Sequence, residues 1–480
     1  MRRTKIIATT GPATDKPGVL QRLIDGGVDL FRINYSHQDA ETHARRVREI
    51  REQSAARGSE VGVIADLQGP KIRLARFAGE KVFLEEGQSF TLETGSGVEP
   101  GDIRHVGVSY RNLSRDVKPG DRLLVDDGRI VLEVSKVGDT QVQCRVVTGG
   151  EVSSKKGLNL QGGGLSAGAL TEKDRSDLAH GVSADADYFA VSFVRGPDDI
   201  REVRELLKSA GSSAGVIAKF ERAEALENAE AIMELSDAVM IARGDLGVEI
   251  GDAALPAVQK RLIKLAQDMD RAVITATQMM ESMIDHQIPL RAEVFDVANA
   301  VIDGTDAVML SGETSIGMFP EKVVEAMARV CEETEKQRAT RVSDHRINQR
   351  FERIDEAIAM STMYAANHIG AKAIAALTES GSTPLWMSRI SSGIPIFAFT
   401  SHVSTMRKAR LYRGVYPVPL DIARTPPEQA NKRIVDALLD RKFVSPGDFV
   451  IITRGDLWGR RGGTNNMKIV RAGDPLENTH

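Results

Sequence analysis

The sequence predicts an α/β protein: a (β/α)₈ TIM barrel with an inserted small β-barrel lid domain and a C-terminal α/β domain. Eight short apolar runs alternate with segments of helical period, which is typical of parallel strands buried on both faces. After the third run, strands of alternating polarity between Gly-rich turns interrupt this rhythm. A separate α/β pattern begins beyond residue 340. These three observations define the fold class.

The predicted barrel strands follow one another with helices between them. Helices are predicted near residues 16–25 and 39–56, and later strands are followed by helical segments such as EALENAEAIMEL. Eight such units favour a closed barrel over an open sheet, so we assign the barrel to residues 1–68 and 169–338. The eight strands lie in TKIIATTG, DLFRINYS, VGVIADLQ, YFAVSFV, GVIAKFE, AVMIARGDLG, RAVITATQ and AVMLSGET.

Residues 69–168 are predicted to form the lid over the barrel mouth. Asp127-Gly128 lies between two runs of alternating polarity, LLVD and RIVLEV, and this dipeptide is a hairpin signal. The lid returns to the barrel through Gly162, Gly163 and Gly164. Three consecutive glycines fit either a hinge or a loose loop, and the sequence does not separate these alternatives.

Residues 339–480 are predicted to form the C-terminal domain, with a helix near 427–440. The loop TESGST follows an apolar run and precedes a helical segment. Its hydroxyl and backbone N–H groups suit a phosphate, although a plain helix N-cap has the same composition.

The composition excludes several classes of protein. Hydrophobic residues at 41% and charged residues at 27% match a globular protein, and a net charge of -4 argues against a nucleic-acid partner. The two cysteines, Cys144 and Cys331, cannot form a disulfide framework, which favours a reducing compartment. The N-terminal apolar run is too short for a signal peptide, and no later run could span a bilayer. We therefore expect a cytoplasmic protein with no membrane partner.

Polar residues gather where each predicted barrel strand ends. In a closed barrel these ends share one face, which is where active sites of such barrels are built. Lys219 and Glu221 lie two residues apart and should point to the same side of their strand. Asp245, at the next strand end, would give a second carboxylate for a hard divalent ion, Mg²⁺ or, alternatively, Mn²⁺. A simple ion pair at the rim is the alternative interpretation.

Further strand ends add groups for anions and proton transfer. Thr277, Ser311 and Glu313 suit a proton relay through water better than a strong nucleophile. The GxGxxG and Walker A motifs are absent from the sequence. Chemistry alone therefore predicts magnesium-dependent phosphoryl or enolate chemistry on a small anion. The residues that form a cationic, hydrogen-bonding wall suited to a polyphosphate are Arg32, Asn34, Ser36, His37 and Arg73.

The chain resembles the pyruvate kinase family almost from end to end. The resemblance implies a homotetramer with a barrel, a mobile lid and an effector domain, which converts phosphoenolpyruvate and ADP to pyruvate and ATP. The motifs that carry it are TKIIATTGPAT, FRINYSH, DLQGPKIR, SKKGLNL, IAKFER, ARGDLGVE, TATQMMESM and RAEVFDVANAVIDGTDAVMLSGET.

The resemblance also implies a role for each site residue. Glu221 and Asp245 would hold Mg²⁺, and Lys219 would stabilise the transferring phosphoryl group and the enolate. A relay through Thr277 and water would protonate the enolate. Arg32 and Arg73 would contact phosphates, and the lid would close at Asp126 and Asp127. The substrate carboxylate would be bound by Thr277 and by the backbone of Ala242, Arg243, Gly244 and Asp245. The nucleotide would be bound by Asn34, His37, Arg73 and Lys156.

The segment IADLQGPKIR departs from the potassium-dependent form of the family. It has Leu67 where that form has Thr, and Lys71 where that form has Glu. It resembles instead a K⁺-independent bacterial group in which the lysine ammonium replaces the monovalent cation. We therefore expect no K⁺ requirement, and we expect that Asn34, Ser36 and Asp66 hold no monovalent ion.

The effector-phosphate loop of the family matches Thr378, Ser380, Ser382 and Thr383. The second effector loop matches RGDLWGRRGGTNNMKIV only loosely, so the implied activator is a sugar phosphate or AMP, and fructose 1,6-bisphosphate is doubtful. Two other functions stay open: a Mg²⁺-dependent carbon–carbon lyase acting on phosphoenolpyruvate or pyruvate, and a metabolite-sensing scaffold.

Overall fold

The computed structural model describes residues 1–95, 100–341, 350–421, 425–456 and 462–475. The chain begins with the first part of a barrel, and every residue of its first and third strands is buried. The second helix starts after Asp39, whose carboxylate accepts a hydrogen bond of 2.9 Å from the backbone N–H of Thr42. The elements are β1 (Lys5–Thr9), α1 (Val19–Asp25), β2 (Leu30–Asn34), α2 (Ala40–Ala55) and β3 (Gly62–Asp66).

A set of mainly antiparallel strands is inserted after β3. Six of them form one sheet in the order β11-β7-β8-β9-β5-β6, and β10 pairs with β4. The predicted hairpin is confirmed: β7 and β8 pair with Val125 opposite Ile130, and Asp126 and Asp127 between them have positive φ angles of 52° and 57°. The elements are β4 (Lys81–Leu84), β5 (Ser89–Glu93), β6 (His105–Gly107), α3 (Leu113–Asp116), β7 (Arg122–Val125), β8 (Ile130–Val137), β9 (Gln141–Thr148), β10 (Gly150–Ser153) and β11 (Leu158–Leu160).

Glycines mark both crossings between the barrel and this insertion. Gly69 has φ 68°, and a Cβ there would lie 2.8 Å from the ring of Phe193. On the return, Gly163 has φ 81°, and a Cβ would lie 2.5 Å from the carboxylate of Glu224. Glu224 also accepts a hydrogen bond from the backbone N–H of Gly164. The glycine segment is therefore bonded to the barrel and is not a loose loop.

The remaining strands complete a closed barrel in the order β1-β16-β15-β14-β13-β12-β3-β2. Ile7 of β1 lies opposite Leu30 of β2 and Met309 of β16, so the first and last strands pair. The elements are α4 (Glu172–Ser183), β12 (Tyr188–Val191), α5 (Pro197–Ser209), β13 (Gly215–Phe220), α6 (Ala223–Glu227), α7 (Ala229–Leu235), β14 (Ala238–Ala242), α8 (Arg243–Ile250), α9 (Leu255–Asp268), β15 (Ala272–Ala276), a 3₁₀ helix (Glu281–Ile284), α10 (Arg291–Asp303), β16 (Ala307–Leu310), α11 (Gly312–Ser315), α12 (Pro320–Thr334) and a second 3₁₀ helix (Arg338–Thr340).

The C-terminal region forms a sheet in the order β19-β18-β17-β20-β21, parallel except for β21. The helix predicted near 427–440 is present with those bounds. The elements are α13 (Ile354–Ile369), β17 (Ala373–Leu377), α14 (Ser382–Ser388), β18 (Ile396–Thr400), α15 (Val403–Ala409), β19 (Val415–Pro419), α16 (Pro427–Asp440), β20 (Phe449–Gly455) and β21 (Thr464–Arg471).

The packing places the chemistry at one end of the barrel. Apolar side chains fill the barrel interior, and this cluster continues into the C-terminal domain. At the junction, Tyr188 of β12 donates a hydrogen bond to the carbonyl of Lys408 in the C-terminal domain. The carboxyl ends of all eight parallel strands meet at the opposite mouth, beside the insertion. Among the described residues, no helix is long and apolar enough to cross a membrane.

Candidate active site

The carboxyl ends of the barrel strands and the start of the insertion enclose a polar cavity. A second cleft lies beside it, between the β7–β8 hairpin and α8, and the two share Lys71 and Asp245. The cavity is lined by Arg32, Asn34, Ser36, His37, Asp66, Gln68, Lys71, Arg73, Ser192, Phe193, Lys219, Glu221 and Asp245. Eight predicted site residues therefore line this cavity, and Arg243 and Gly244 line the second cleft, whereas Ala242, Lys156 and Thr277 line neither.

A buried ion network forms the floor of this cavity. Asp66, at the end of β3, accepts a hydrogen bond of 2.5 Å from Nε of Arg32 and lies 3.1 Å from Nζ of Lys219. Burial raises the pKa of the Asp66 carboxyl, but the cations of Lys219 and Arg32 outweigh burial and hold it below its ordinary value. Asp66 is therefore ionised and fixes both cations at the mouth.

Lys219 is held by groups on three sides. Its ammonium lies 2.8 Å from Oε1 of Glu221, on the same face of β13 as the sequence predicts, and donates to the Ser192 hydroxyl at 2.7 Å. Burial lowers the pKa of Lys219, but the carboxylates of Asp66 and Glu221 outweigh burial and raise it above its ordinary value. A positive charge is therefore kept at the cavity floor at neutral pH.

Glu221 and Asp245 give the carboxylates that could hold a divalent metal. Burial raises the pKa of Glu221, Lys219 opposes this, and Asp245 adds to it, so the net shift is upward. A bound cation would relieve that repulsion. Among the described residues no group of three or more His, Cys, Asp or Glu side chains is arranged around one point. Two hard oxygen donors beside a cavity suit an ion that keeps water and substrate ligands, such as Mg²⁺ or Mn²⁺.

Lys71 reaches the same place from the insertion side. Its ammonium lies 3.3 Å from Oδ1 of Asp245, while Asp66, one of the three residues predicted to hold no monovalent ion, is paired with Arg32 and Lys219. Lys71 still lines the cavity that contains Asn34, Ser36 and Asp66. The structure thus brings this cation to the predicted metal ligand.

The start of α8 contacts the end of β15. The backbone N–H of Gly244 donates to the Thr277 hydroxyl at 2.8 Å, and that hydroxyl donates to the carbonyl of Ala276 at 2.6 Å. The guanidinium of Arg243 is buried against backbone carbonyls and Asp296. Among the predicted substrate-binding residues Ala242, Arg243, Gly244 and Asp245, Arg243 can therefore offer its backbone but not its charge.

Ser311 and Glu313 are not brought into this cavity. Glu313 is buried and accepts hydrogen bonds from the backbone N–H groups of Ser311 at 2.6 Å and Met280 at 3.2 Å. Burial raises the pKa of its carboxyl. Neither residue belongs to the lining of the two clefts. This geometry gives Glu313 a role in holding the ends of β15 and β16.

Three of the four predicted nucleotide-binding residues line the cavity, and the fourth, Lys156, lines neither cleft. Arg73 donates to the carbonyl of Lys155 at 3.0 Å, and Lys156 pairs with Asp126 at 2.8 Å. Asn34 accepts from the N–H of Ser36 at 3.1 Å. His37 is exposed and also lines the cavity, whereas Asp127 lines the neighbouring cleft.

Sequence reasoning missed two contributors. Ser192 links Lys219 to the carbonyl of Leu67, which accepts from the Ser192 hydroxyl at 2.7 Å. The backbone N–H of Phe193 donates to Oε2 of Glu221 at 2.8 Å. The polar end of the strand YFAVSFV was the available signal, because it follows the same pattern as the other strand ends.

The predicted effector loop joins β17 to α14. Ser380 and Ser382 have hydroxyl oxygens 2.9 Å apart, and the Thr378 hydroxyl accepts from the N–H of Gly381 at 2.9 Å. Thr383 is buried and bonds to the hydroxyl of Thr464. Residues 457–461 of the second predicted effector loop lie outside the described residues.

Comparison with known proteins identifies the family. Residues 1–324 match the family model for the pyruvate kinase barrel domain, and residues 356–470 match that for the pyruvate kinase alpha/beta domain. Pyruvate kinase II of Salmonella typhimurium (strain LT2) is 50% identical over 474 residues, covering 98% of each chain. A pyruvate kinase of Buchnera aphidicola subsp. Schizaphis graminum is 48% identical over 475 residues, also covering 98% of each chain.

A solved structure gives the same result. The crystal structure of a pyruvate kinase from Cryptosporidium parvum matches with a TM-score of 0.92 and 33% identity, covering 98% of this chain and 96% of that chain. The chain belongs to the pyruvate kinase family, whose members are phosphotransferases with phosphoenolpyruvate, ADP, pyruvate and ATP as substrates and products and with a dependence on divalent metal.

Proposed function

We propose that this enzyme transfers the phosphoryl group of phosphoenolpyruvate to ADP with Mg²⁺ held by Glu221 and Asp245, without K⁺, and under activation by a phosphorylated effector. The single observation that carries the assignment of the site is the buried Lys219, paired with Asp66 and Glu221 beside a polar cavity. Membership of the family leaves no reason to retain the lyase alternative.

Phosphoryl transfer requires positive charge around the moving group. Arg32 and Lys219 are fixed by Asp66, so their charges need little reorganisation when negative charge builds up. Arg73 approaches from the insertion and gives a third cation for the phosphates. Lys219 would stabilise the transferring group and then the enolate left behind. Mg²⁺, when bound by Glu221 and Asp245, would supply further charge stabilisation and orient the phosphate oxygens.

The substrate carboxylate would lie at the start of α8. The first N–H groups of a helix lack intrahelical partners, and anions are stabilised there. Arg243 and Asp245 contribute two such N–H groups next to the Thr277 hydroxyl, while Gly244 already donates to that hydroxyl. Thr277, through a water molecule, would then deliver the proton that converts the enolate to pyruvate. This ketonisation supplies much of the driving force for ATP formation.

ADP would bind on the outer side of the cavity. Asn34, His37, Arg73 and Lys156 offer hydrogen bonds and positive charge to its phosphates. Lys156 and its partner Asp126 both belong to the lid, residues 69–168, so a nucleotide that binds Lys156 would link its own binding to the position of the lid. With residues 69–168 as the lid, residues 1–68 and 169–338 form the catalytic domain, and residues 339–480 form the effector domain.

Lys71 would supply the charge that other members of the family obtain from K⁺. It lines the cavity with Asn34, Ser36 and Asp66 and already lies at Asp245. A covalently fixed cation needs no binding equilibrium, so its field is present at any salt composition.

The proposed regulation and assembly are those that the resemblance to pyruvate kinases implies. A sugar phosphate or AMP would bind its phosphate at Thr378, Ser380, Ser382 and Thr383. Exposed apolar side chains in two parts of the chain support a homotetramer, because a dimer of dimers requires two different interfaces. One group, between residues 288 and 318, is Ile288, Leu290, Phe295, Ile302, Ile316 and Met318, and the other, in the C-terminal region, is Ile354, Tyr364, Ile369 and Ile469.

The test is pyruvate formation from phosphoenolpyruvate and ADP with Mg²⁺ or Mn²⁺, in buffer free of K⁺ and NH₄⁺ and again with K⁺ added. We expect strong activity in both buffers with Mg²⁺. Activity only with K⁺ would leave the reaction intact and refute the role of Lys71. Removal of divalent metal by chelation should abolish activity and its return should restore it.

A further inference from the structure

The turn that follows β15 has an unfavourable backbone conformation. Thr277 and Gln278 have positive φ angles of 65° and 53°. This left-handed region suits glycine, and a β-branched residue there costs on the order of 1–3 kcal/mol. Thr277 is also the residue whose hydroxyl faces the start of α8. Its position must therefore be enforced by surrounding groups.

Arg243 supplies that enforcement. Its Nη2 donates to the carbonyls of Thr277 at 2.6 Å and Gln278 at 3.0 Å, and its Nε contacts those of Ala276 at 3.3 Å and Thr277 at 3.2 Å. These are three consecutive carbonyls of the turn. The planar guanidinium can reach them together, whereas a lysine ammonium could not reproduce this fork.

The guanidinium is itself anchored. Its Nη1 lies 2.7 Å from Oδ1 and 2.6 Å from Oδ2 of Asp296 on α10; the Arg243 side chain is 6% exposed and that of Asp296 is 34% exposed. Because the guanidinium itself is buried, leaving these carbonyls and the partly exposed Asp296 would strand a buried charge, so it has little freedom to leave the turn. The turn is thus held from α8 and, through Asp296, from the outer helix α10.

The same part of α8 also holds the hydroxyl. Gly244, which follows Arg243, donates its N–H to Oγ1 of Thr277 at 2.8 Å, and Asp245 is the next residue. One short segment therefore carries the clamp on the Thr277 backbone, the donor to its side chain, and a proposed metal ligand. Any shift of the turn would move the Thr277 hydroxyl relative to Asp245.

We propose that Arg243 is a positioning residue that holds the strained Thr277 turn so that the hydroxyl is aligned for the enolate. This inference rests on the proposed role of Thr277. Arg243 does not touch the substrate with its side chain; it acts through the three carbonyls. Misplacement of a catalytic group by about 1 Å can cost roughly 10²-fold in rate.

A double-mutant cycle tests the inference. Arg243→Lys keeps a cation for Asp296 but loses the fork, so we expect kcat to fall about 10- to 100-fold. KM for ADP, which binds on the other side of the cavity, should stay unchanged. In a Thr277→Ala background the same change should lower kcat by less than about threefold, because no hydroxyl remains to be aligned. Equal losses in both backgrounds would overturn the inference.

Two further variants separate other outcomes. Arg271→Lys removes a comparable clamp, since Arg271 donates to the carbonyls of Met233 and Glu234 at 2.9 Å each, at the other end of β15; it should lower the melting temperature without changing kcat. If Arg243→Lys does not fold, Asp296→Asn keeps the arginine but loosens its anchor and should show the same dependence on Thr277. Wild-type kcat in Thr277→Ala alone would refute the proposed role of Thr277 and with it the inference.

Discussion

The two ends of the barrel contain the same kinds of buried charge but use them differently. At the mouth, Lys219 lies between Asp66 and Glu221 and faces a cavity. At the opposite end, Asp306 pairs with Arg389 of the C-terminal domain, and both side chains are 1% exposed. Asp306 also accepts from the backbone N–H groups of Val273 and Arg413 at 2.9 Å each. Buried charge beside a cavity can act on a substrate, whereas buried charge closed by packing can only join domains.

The two ends of the barrel also differ in the pKa of a buried lysine. Lys219 has two carboxylates within 3.1 Å, and they raise its pKa despite burial. Lys5, at the start of β1, is also buried, but its carboxylate partner, Asp29, lies 3.8 Å away. Burial therefore lowers the pKa of Lys5 to about 8, with Asp29 only partly opposing it. Two close carboxylates therefore raise the pKa of Lys219, whereas one more distant carboxylate, opposed by Arg410 and Arg2, does not offset the burial of Lys5.

The largest expected effect is that of Lys219→Met. Loss of a fixed charge at the transferring group should lower kcat at least about 10³-fold, or about 4 kcal/mol in activation free energy. Steady-state kinetics and circular dichroism would measure activity and folding. Lys5→Met is the matched control at the other end and should retain kcat. If Lys219→Met keeps more than a tenth of wild-type activity, the buried charge at the mouth does not act on the substrate.

Asp306→Asn should affect stability and leave chemistry unchanged. It leaves the Arg389 guanidinium buried opposite a neutral amide, which we expect to lower the free energy of unfolding by about 4 kcal/mol. Chemical denaturation monitored by tryptophan fluorescence would measure the loss, and kcat per folded molecule should match wild type. A large fall in kcat with unchanged stability would show that this end of the barrel also takes part in catalysis.

Lys5→Met should change how stability depends on pH. The folded-state pKa of Lys5, about 8, lies below the 10.5 of a lysine in the unfolded chain, so between these values the unfolded chain binds more protons. The Lys5 contribution to stability is therefore present above pH 10.5 and lost as pH falls to 8, a difference of about 3 kcal/mol. Denaturation of both proteins across this range should show a shallower pH dependence in the variant.

Lys208→Met, at an exposed helix position, is the control for that experiment and should leave the pH dependence unchanged. Identical curves for wild type and Lys5→Met would mean that folding does not lower the pKa of Lys5, and would contradict the contrast with Lys219.

Lys71→Glu should give the smallest effect. Removing this cation next to Asp245 should lower activity in K⁺-free buffer about tenfold, and added K⁺ should restore part of it. Leu67→Thr combined with Lys71→Glu should respond to K⁺ more strongly, because both departures are then reversed. If Lys71→Glu is highly active and insensitive to K⁺, Lys71 does not supply the charge that K⁺ supplies in other members of the family.

Much of the fold and part of the site could be predicted from local sequence. The eight strands and the helix at 427–440 were predictable because apolar periodicity is a local property of the chain. Lys219 and Glu221 were predictable as a pair because side chains two residues apart on a strand share a face. The clustering of the polar strand ends could be predicted because the carboxyl ends of parallel strands lie at the same end of a barrel.

The order of the strands and the residue types that end them depend on neighbours along the chain, so both could be predicted without coordinates. Three other features are evident only in the folded chain: the Arg243 charge faces a turn instead of substrate, Glu313 supports two loops, and Lys71 meets Asp245. Such contacts join elements far apart in sequence, and side-chain direction within them is set by packing and by the need to satisfy each buried charge.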